Sequence, residues 1–370
     1  MTSSSGALPP VPEFALHPNP HPVPPDARAA ALEAPRFGAV VTDHMARMTW
    51  TSEDGWLDRR VEPYAPLALE PAALVLHYGQ EIFEGLKAYR HPDGSVWGFR
   101  PEANAARFAA SARRMALPEL PVEDFLASVR ALVTVDQAWV PPADDASLYL
   151  RPVMFASEPN LLVRAARRVE YVVIASPAGA YFAGGAAPVS IWVAQDLHRA
   201  SPGGTGAVKT MGNYGASLAS QAEAYRHGCE QVCFLDAVSG RNLEELGGMN
   251  LVAVRADGTV LTPALDGAIL PGITRDAVLR LLAADGHEVV ERALPLEEVL
   301  AGLASGEVTE LFACGTGAGV SPIGRLVGHG FDARVADGGV GPVTARVRAQ
   351  LMDIQHGRAP DERGWMVRWV

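Results

Sequence analysis

The chain has 370 residues, of which 48% are hydrophobic and 20% charged, and its formal net charge is −11. This length and composition predict a globular protein with two domains of ordinary size. The negative charge argues against nucleic acid and anionic membrane surfaces as partners, and no apolar run approaches the roughly 20 residues of a membrane-spanning helix.

The three cysteines, Cys229, Cys233 and Cys314, lack CxxC spacing. A low, odd count of this kind is typical of reduced thiols in a cytoplasmic protein, where disulfides are rare. Two cysteines four residues apart do not make a metal site, because structural sites need four ligands. We therefore expect a cytoplasmic protein that holds no metal.

Residues 1–30 are predicted to form a disordered or extended arm. The segment is rich in serine and proline, especially at 17–25. Proline removes backbone donors and favours extended chain. The segment also lacks the basic start and the continuous apolar run of a signal peptide.

Residues 31–176 are predicted to form a small N-terminal domain. Strand patterns occur at 95–99, 147–155 and 169–175, and strands that include a turn are predicted at 37–45 and 74–79. A Pro-Asp-Gly turn is predicted at 92–94. Apolar residues at helical spacing predict helices over 101–115 and 122–139. Antiparallel hairpins with grouped helices indicate an α+β fold instead of repeated βαβ units.

Residues 177–188 are rich in glycine, alanine and proline, so we expect a loop between two domains there. The C-terminal domain then covers 189–370. Its patterns predict strands at 189–194, 231–235, 251–255 and 259–262 and helices over 214–228 and 274–284. Residues 310–319 are predicted to be a strand that runs into a glycine-rich loop.

One lysine stands in a glycine-rich segment at 202–214. Four glycines surround Lys209, and Tyr214 follows five residues later. Glycine lets backbone approach a ligand closely, and a desolvated lysine loses its proton easily and becomes a nucleophile. The pattern fits a Schiff-base lysine that holds an aldehyde cofactor. The alternative is a surface turn with a solvated lysine.

A phosphorylated aldehyde such as pyridoxal phosphate needs donors for its phosphate and a carboxylate at its ring nitrogen. Ile273 and Thr274 lie at the mouth of a predicted helix, where free amides and the helix dipole favour an anion. The alternative is an ordinary capped helix start. Arg100 and Arg199 lie close to such positions, although a single arginine is commonly a solvated surface charge.

Glu244 and Glu245 precede a Gly-Gly pair. A turn at Glu245 could aim its carboxylate inward at a pyridinium, whereas Glu244 is interpreted as solvated. Residues 315–319 also fit a GxGxG nucleotide loop, but the full fingerprint and its acidic partner are missing. A nucleotide-binding module or scaffold is therefore an alternative function, which leaves the Lys209 segment and Glu245 unexplained.

Four motifs in this chain resemble those of the branched-chain amino-acid aminotransferases of pyridoxal-phosphate fold type IV. They are FEGLKAY at 83–89, GGTGAVKxxGNY at 203–214, ELGGMN at 245–250 and LPGITR at 270–275. Residues 37–45 and 148–152 extend the likeness to the longer-chain subgroup. The resemblance covers most of the chain from residue 37 onwards. It implies an α+β fold with a small α/β domain and a larger, β-barrel-like domain.

The resemblance also implies which residues bind pyridoxal phosphate. Lys209 would form the Schiff base and move a proton, Tyr214 would donate to the ring hydroxyl, and Glu245 would bind the ring nitrogen. The phosphate would be held by Arg100, Arg199, the amides of Ile273 and Thr274, and Thr316.

The implied substrate site follows from the same likeness. The substrate carboxylate would be bound by Tyr78 and the amides around Gly248 and Gly317. Phe83 and Tyr149 would line an apolar side-chain pocket, and Arg151 would bind the second carboxylate of glutamate. Gly248 stands where some relatives have threonine, which leaves the width of the pocket open.

In the family, the loop around Leu161 and Val163 caps the site of the neighbouring subunit, which implies a homodimer. Mammalian relatives carry a CxxC pair after Gly-Thr, but this chain has Ala318 and Ser321 there, so no thiol switch is expected.

The implied reaction is reversible amino transfer between L-leucine, L-isoleucine or L-valine and 2-oxoglutarate. The alternative is another enzyme of this fold type, a D-amino-acid aminotransferase or an aminodeoxychorismate lyase. Arg151, together with Phe83 and Tyr149, argues against that alternative.

Overall fold

The computed structural model describes residues 12–143, 145–179, 181–182 and 187–370. Within these residues, two large β-sheets with helices packed on them make up most of the regular structure. In the same residues, no helix is both long enough and apolar enough to cross a membrane.

The first half of the chain supplies most of one sheet. Its strands are β1 (Ala15–Leu16), β2 (His44–Thr51), β3 (Gly55–Pro63), β4 (Glu81–Phe83), β5 (Leu86–Arg90), β6 (Val96–Phe99), β7 (Ser147–Ala156) and β8 (Arg168–Ala178). Its helices are α1 (Pro25–Glu33), α2 (Leu74–Tyr78), α3 (Pro101–Arg114) and α4 (Val122–Val135), followed by a 3₁₀ turn at Gln137–Trp139.

The second half of the chain supplies the other sheet and one edge strand of the first sheet. Its strands are β9 (Val189–Ala194), β10 (Gln231–Leu235), β11 (Asn242–Leu246), β12 (Asn250–Arg255), β13 (Val260–Thr262), β14 (Val289–Glu291), β15 (Leu294–Pro295), β16 (Val308–Gly315), β17 (Gly319–Gly328), β18 (Phe331–Arg334) and β19 (Met366–Arg368). Its helices are α5 (Met211–Arg226), α6 (Ile273–Ala284), α7 (Leu296–Ser305) and α8 (Pro342–Gln355).

The first sheet runs in the order β1–β3–β2–β8–β7–β5–β6–β19, and β4 also pairs with β7. The helices α3 and α4 cover one face, because their apolar side chains recur every three or four residues. Phe108 of α3 and Phe125 of α4 pack against Tyr171 of β8, and all three are buried. The same core includes Ile82 of β4, Leu86 of β5 and Leu148 of β7.

Six strands of the second sheet close into a barrel in the order β12–β16–β17–β9–β10–β11. The pairing of Glu245 in β11 with Asn250 in β12 completes the ring. Side chains alternate between its inside and its outside, as expected for a barrel. Leu251 packs in the inner core, whereas Val252 packs under α6 and α8.

The two sheets meet at the start of α5. The amide of Phe83 in β4 donates to the carbonyl of Lys209 at 3.0 Å. The Thr210 hydroxyl donates to the Glu81 carbonyl at 2.7 Å, and the Met211 amide donates to the Glu81 carboxylate at 2.8 Å. Lys209 is therefore fixed between the sheet and the barrel.

The structure confirms the expected α+β class and the barrel-like second domain. The helices predicted over 101–115 and 122–139 correspond to α3, α4 and the 3₁₀ turn. Residues 74–79, predicted as a strand, instead form α2. Gly79 ends this helix in the left-handed conformation, with φ at 60°.

Two further expectations were met in part. Residues 37–45, predicted as a strand with a turn, make a turn at Gly38, with φ at 71°, and the strand β2 begins at His44. In the arm expected to be disordered or extended, β1 is extended and pairs with β3, whereas residues 25–30 belong to α1. Residues 1–11, 144, 180 and 183–186 lie outside the described residues, and the domain boundaries at 30, 176 and 188 stay predictions.

Candidate active site

A cavity of about 430 Å³ lies between the first sheet and the barrel. Strands β4 and β7 form one wall, and the start of α5, the β11–β12 turn, the start of α6 and the β16–β17 turn form the others. Its lining includes eleven residues expected at the site: Phe83, Tyr149, Arg151, Lys209, Tyr214, Glu245, Gly248, Ile273, Thr274, Thr316 and Gly317.

Lys209 faces this cavity. Its ammonium lies 2.6 Å from the Tyr214 hydroxyl and 4.7 Å from the centre of the Phe83 ring. Burial, together with the positive charge of Arg107, lowers the pKa of Lys209 to about 8. Burial also raises the pKa of Tyr214 to about 12. Near neutral pH, the pair is therefore a readily deprotonated amine beside a protonated phenol.

Glu245 lines the part of the cavity wall that β11 forms. Burial raises the pKa of its carboxyl group, against the opposing charge of Arg199, whose guanidinium lies 2.5 Å away. The same oxygen accepts the Leu270 amide at 2.8 Å. Glu245 lies on β11, not at the predicted turn, and the alternation along the strand places Glu244 on the opposite face.

Glu244 was expected to be solvated, but it is buried, and neither carboxylate oxygen has a hydrogen-bond partner. Burial raises the pKa of this carboxyl group to about 7. The expectation was wrong because the motif lies in a closed barrel strand instead of an exposed turn.

The start of α6 offers free backbone amides to an anion, and we call the amides of Ile273 and Thr274 the anion cup. Gly272 precedes the helix without a side-chain cap, so the amides of Ile273 and Thr274 have no partner within the helix. Asn250 donates to the Leu270 carbonyl at 3.0 Å, while Glu245 holds the Leu270 amide. The neighbouring strand ends that carry Glu245 and Asn250 thus fix the position of the cup.

The wall formed by β4 and β7 combines apolar rings with one cation. The Arg151 guanidinium lies 4.6 Å from the centre of the Phe83 ring and donates to the Tyr149 hydroxyl at 3.0 Å. The Nε of Arg151 is buried without a hydrogen-bond partner. Because an unpaired buried donor is costly, this arginine is prepared to bind an anion that enters the cavity.

Arg107 and Glu84 form a buried pair behind Lys209. Their side chains are joined at 2.7 and 2.9 Å, and Asn104 also donates to Glu84. Burial alone would raise the pKa of Glu84, but Arg107 outweighs it and holds this pKa below its usual value. The pair therefore stays ionised next to the cavity.

Three of the expected site residues do not line the cavity. Arg199 binds Glu245 and the carbonyls of Gly206 and Ala268, so it lies at the ring-nitrogen end instead of the cup. Arg100 donates to the Ile273 carbonyl and pairs with Asp276 at 2.6 Å, behind the first turn of α6.

Tyr78 lies outside the cavity as well. Its hydroxyl donates to the Leu161 carbonyl at 2.5 Å, and the side chains of Tyr78, Leu161 and Val163 are all exposed. The expected capping loop therefore lies on the surface, joined to the residue expected to bind the substrate carboxylate.

Sequence reasoning missed several residues that line the cavity, among them Glu81, Arg107 and Tyr181. Arg107 lies within α3, in a stretch of the sequence that no motif marks. No local pattern marks Glu81 or Tyr181.

The residues fit a phosphorylated aldehyde cofactor with a protonated ring nitrogen. Lys209 supplies an amine, Glu245 a buried carboxylate, and the α6 start free amides. Glycine at 272 also lets the start of α6 pack closely on Asn250, since a Cβ there would lie 2.0 Å from the Asn250 amide oxygen. Residues Lys209, Glu245, Ile273 and Thr274 thus match both ends of pyridoxal phosphate.

Comparison with known proteins gives consistent results. Residues 81–326 match the amino-transferase class IV family. A branched-chain-amino-acid aminotransferase from Mycolicibacterium smegmatis is 50% identical over 360 residues, which cover 96% of this chain and 98% of that protein.

Solved structures show the same similarity. The Escherichia coli branched-chain amino acid aminotransferase is 27% identical, with a TM-score of 0.72 over 88% of this chain and 100% of that chain. A second branched-chain amino acid aminotransferase, solved in complex with N-(5'-phosphopyridoxyl)-L-glutamate, is 25% identical. Its TM-score is 0.73 over 88% of this chain and 99% of that chain.

Proposed function

We infer that this chain, which belongs to the branched-chain-amino-acid aminotransferases within the class IV aminotransferases, moves an amino group reversibly between L-leucine, L-isoleucine or L-valine and 2-oxoglutarate. The products are the branched 2-oxo acids and L-glutamate. One observation carries this inference. An amine, a buried carboxylate, an anion cup and an arginine whose Nε has no hydrogen-bond partner surround a single cavity.

The cofactor is pyridoxal phosphate, which when bound withdraws electrons from the substrate's α-carbon. Glu245 would hold the ring nitrogen, with Arg199 keeping that carboxylate in place and opposing the effect of burial on its charge. Tyr214 would donate to the ring hydroxyl. The phosphate would be held by the amides of Ile273 and Thr274, the Thr316 hydroxyl and, through its charge behind the helix start, Arg100.

Lys209 is the residue that we assign to proton transfer. Its Nζ would take the proton from the α-carbon of the amino acid and return a proton in the reverse direction. Its lowered pKa of about 8 supports this role, because a general base works best when its pKa lies near the working pH. The Tyr214 hydroxyl at 2.6 Å orients this amine.

Two kinds of substrate side chain would use the same pocket. Phe83 and Tyr149 offer apolar surface to a branched side chain, and Arg151 offers a guanidinium that lines the cavity to the second carboxylate of glutamate. The amides around Gly248 and Gly317, including that of Ala318, would bind the carboxylate next to the reacting carbon. A Cβ at Gly248 would be in ordinary contact with the Tyr214 ring at 3.6 Å, so the absence of a side chain there leaves only modest extra width.

We also propose a homodimer in which Tyr78, Leu161 and Val163 complete the partner's site. Leu161, Leu162 and Val163 are 62%, 65% and 83% exposed, which is unusual for three consecutive apolar residues. Tyr78 and Leu161 are joined by a hydrogen bond, yet neither lines the cavity of its own chain. A contact with a second copy would bury this surface.

The test uses the fact that Lys87 and Lys209 are the two lysines of the sequence. The protein is loaded with pyridoxal phosphate, reduced with borohydride and mapped by peptide mass spectrometry. The label is expected on Lys209, and Lys209→Ala should abolish transamination. The native protein should transaminate L-leucine, L-isoleucine and L-valine but not D-alanine or aminodeoxychorismate. A label on Lys87, or activity confined to D-alanine, would contradict the assignment.

A further inference from the structure

Lys87 has no role in the site described so far. It lies on β5, which β7 separates from β4, the strand that contacts Lys209. It is one of only two lysines among the 31 lysine and arginine residues of the sequence. The other is Lys209. In the β5–β7 pair, Lys87 lies directly opposite Tyr149, so both side chains project from the same face of the sheet toward the barrel.

The ammonium of Lys87 joins the two halves of the molecule. Its Nζ donates to the Gly317 carbonyl in the β16–β17 turn at 2.9 Å. In the described part of the chain, no carboxylate forms an ion pair with Lys87. Burial lowers the pKa of Lys87 to about 8. Its charge is therefore held mainly by a backbone carbonyl.

Lys87 lies behind the anion cup. A small space of about 30 Å³ is lined by Lys87 together with Ile273, Thr274 and Thr316, the residues expected to hold the phosphate. A second cavity, of about 150 Å³, lies on its other side. The β16–β17 turn therefore separates Lys87 from the main cavity, which Gly317 and Ala318 line from the opposite side.

This turn needs an external support. Residues 315–319 read Gly-Thr-Gly-Ala-Gly, and glycine has the largest backbone freedom to lose. A peptide unit is planar, so its carbonyl and its N–H point in opposite directions. When Lys87 holds the Gly317 carbonyl, the following amide, that of Ala318, must point away from Lys87. The ammonium thus fixes the orientation of the turn.

We propose that Lys87 is a positioning residue that holds the 315–319 turn, through the Gly317 carbonyl, in the shape that binds the cofactor phosphate and the substrate carboxylate. The proposal rests on the function inferred above. The compact ammonium suits the site better than a guanidinium, because only about 30 Å³ is free beside the cup.

The test compares Lys87→Met, which keeps the apolar stem and removes the donor, with Arg90→Met. Arg90 is a matched control, since it is a cation on the same strand whose guanidinium also binds carbonyls, those of Gln137 and Val140, away from the cavity. Each variant is assayed for KM and kcat with L-leucine and 2-oxoglutarate. Binding of 4-methylvalerate, a branched carboxylate without an amine, is followed by absorbance, as is retention of pyridoxal phosphate on dialysis.

For Lys87→Met we expect KM for both substrates and the dissociation constant of 4-methylvalerate to rise roughly tenfold, the order of a lost charge-assisted hydrogen bond. Cofactor retention should fall, while kcat changes much less. Arg90→Met should leave all of these values unchanged. If Lys87→Met does not fold, Lys87→Leu, which also lacks a donor, is measured in the same way.

Unchanged KM and unchanged 4-methylvalerate binding in a folded Lys87 variant would overturn the proposal, as would an equal loss in Arg90→Met. A fall in kcat alone would also count against it. Failure of the inferred function is seen separately, because the native protein itself would then show no transamination and no label on Lys209.

Discussion

At the scale of single residues, the environment of Lys209 determines the chemistry of the site. Its amine is enclosed by the Phe83 and Tyr214 rings and lies near the Arg107 guanidinium. The rings isolate the amine from water, and the positive charge of Arg107 disfavours a second positive charge on Lys209. Because the charges of Glu84 and Arg107 are buried together as an ion pair, both groups stay ionised, and their electrostatic effect on Lys209 stays the same.

The first prediction concerns pH. The neutral amine is the nucleophile, and burial lowers the pKa of Lys209 from 10.5 to about 8. Below that value, the rate at which the apoprotein takes up pyridoxal phosphate should rise about tenfold per pH unit, and above it the rate should level off. Stopped-flow absorbance from pH 6 to 10 measures this rate. A rate that still rises between pH 9 and 10 would show an ordinary lysine.

Arg151 gives the second prediction. Its Nε has no hydrogen-bond partner, and its guanidinium lies over the Phe83 ring. Arg151→Met keeps the apolar stem but removes the charge that would meet the second carboxylate of 2-oxoglutarate. We expect kcat/KM for 2-oxoglutarate to fall on the order of 100-fold, with a loss of less than about tenfold for the 2-oxo acid of leucine.

The ratio of the two kcat/KM values is the measurement that matters here, because a general loss of folding would lower both equally. Equal losses for 2-oxoglutarate and the branched 2-oxo acid would contradict a specific role of Arg151 in binding the dicarboxylate.

At the scale of elements, the loop before Lys209 depends on one close approach. A Cβ at Gly206 would lie 2.0 Å from the Ala268 carbonyl oxygen. Arg199 donates to the carbonyls of both Gly206 and Ala268, while it also holds Glu245. A shift of this contact therefore moves three parts of the site together: the loop before Lys209, the segment around Ala268 that leads to the start of α6, and the carboxylate of Glu245.

The third prediction follows from this contact. Gly206→Ala should destabilise the protein by about 1–3 kcal/mol, because the obstruction is backbone that cannot rotate away. It should also release pyridoxal phosphate more easily. Thermal unfolding and absorbance after dialysis measure the two effects.

Gly215→Ala is the matched control. It lies within α5, and nothing lies within 4 Å of its added Cβ, so the change should be neutral or stabilise by up to about 1 kcal/mol. If the two alanine variants have the same stability and retain the cofactor equally, the close approach at Gly206 does not contribute to either property.

Element by element, the sequence indicated structure where local chemistry decides it. Pro101 at the first turn and apolar residues at helical spacing were enough to place α3. The same reasoning failed for α2, whose five residues are too few to show a helical period and which is set by Gly79 and contacts with β7.

The site was predictable in part for the same reason. Motifs identified Lys209, Tyr214 and Glu245, which all line the cavity. They could not place Arg199 beside Glu245, because that contact joins residues 46 positions apart and depends on closure of the barrel. Nor could they show that Lys87, 230 positions from Gly317, contacts its turn. Long-range pairing leaves no local pattern in the sequence.

At the scale of the whole molecule, the first sheet and the barrel supply different groups of site residues. The barrel carries Lys209, Glu245 and the anion cup, whereas the first sheet carries the Phe83–Arg151 wall. The surface formed by Tyr78 and residues 161–163 lies on the first sheet's side, outside its own cavity. A twofold dimer could bring this surface over the partner's cavity, since isologous interfaces bury the same patch on both copies.

The last prediction tests this sharing of residues by mixing inactive variants. Lys209→Ala loses the reacting amine, and Tyr78→Ala loses the phenol that would reach the partner's site. In a mixed dimer, one site would combine an intact Lys209 with an intact Tyr78 from the other chain. Co-expression in equal amounts should therefore restore about a quarter of the wild-type sites, since half of the dimers are mixed and each has one complete site.

Arg151 supplies the control, because it lines the same chain's cavity as Lys209. Mixing Lys209→Ala with Arg151→Met should restore no activity toward 2-oxoglutarate, since no site in the mixed dimer then has both residues intact. Recovery in the first mixture but not in the second requires that Tyr78 act across the interface while Arg151 acts within its own chain. If neither mixture recovers although mixed dimers form, Tyr78 acts within its own chain, and the exposed surface at 161–163 needs another explanation.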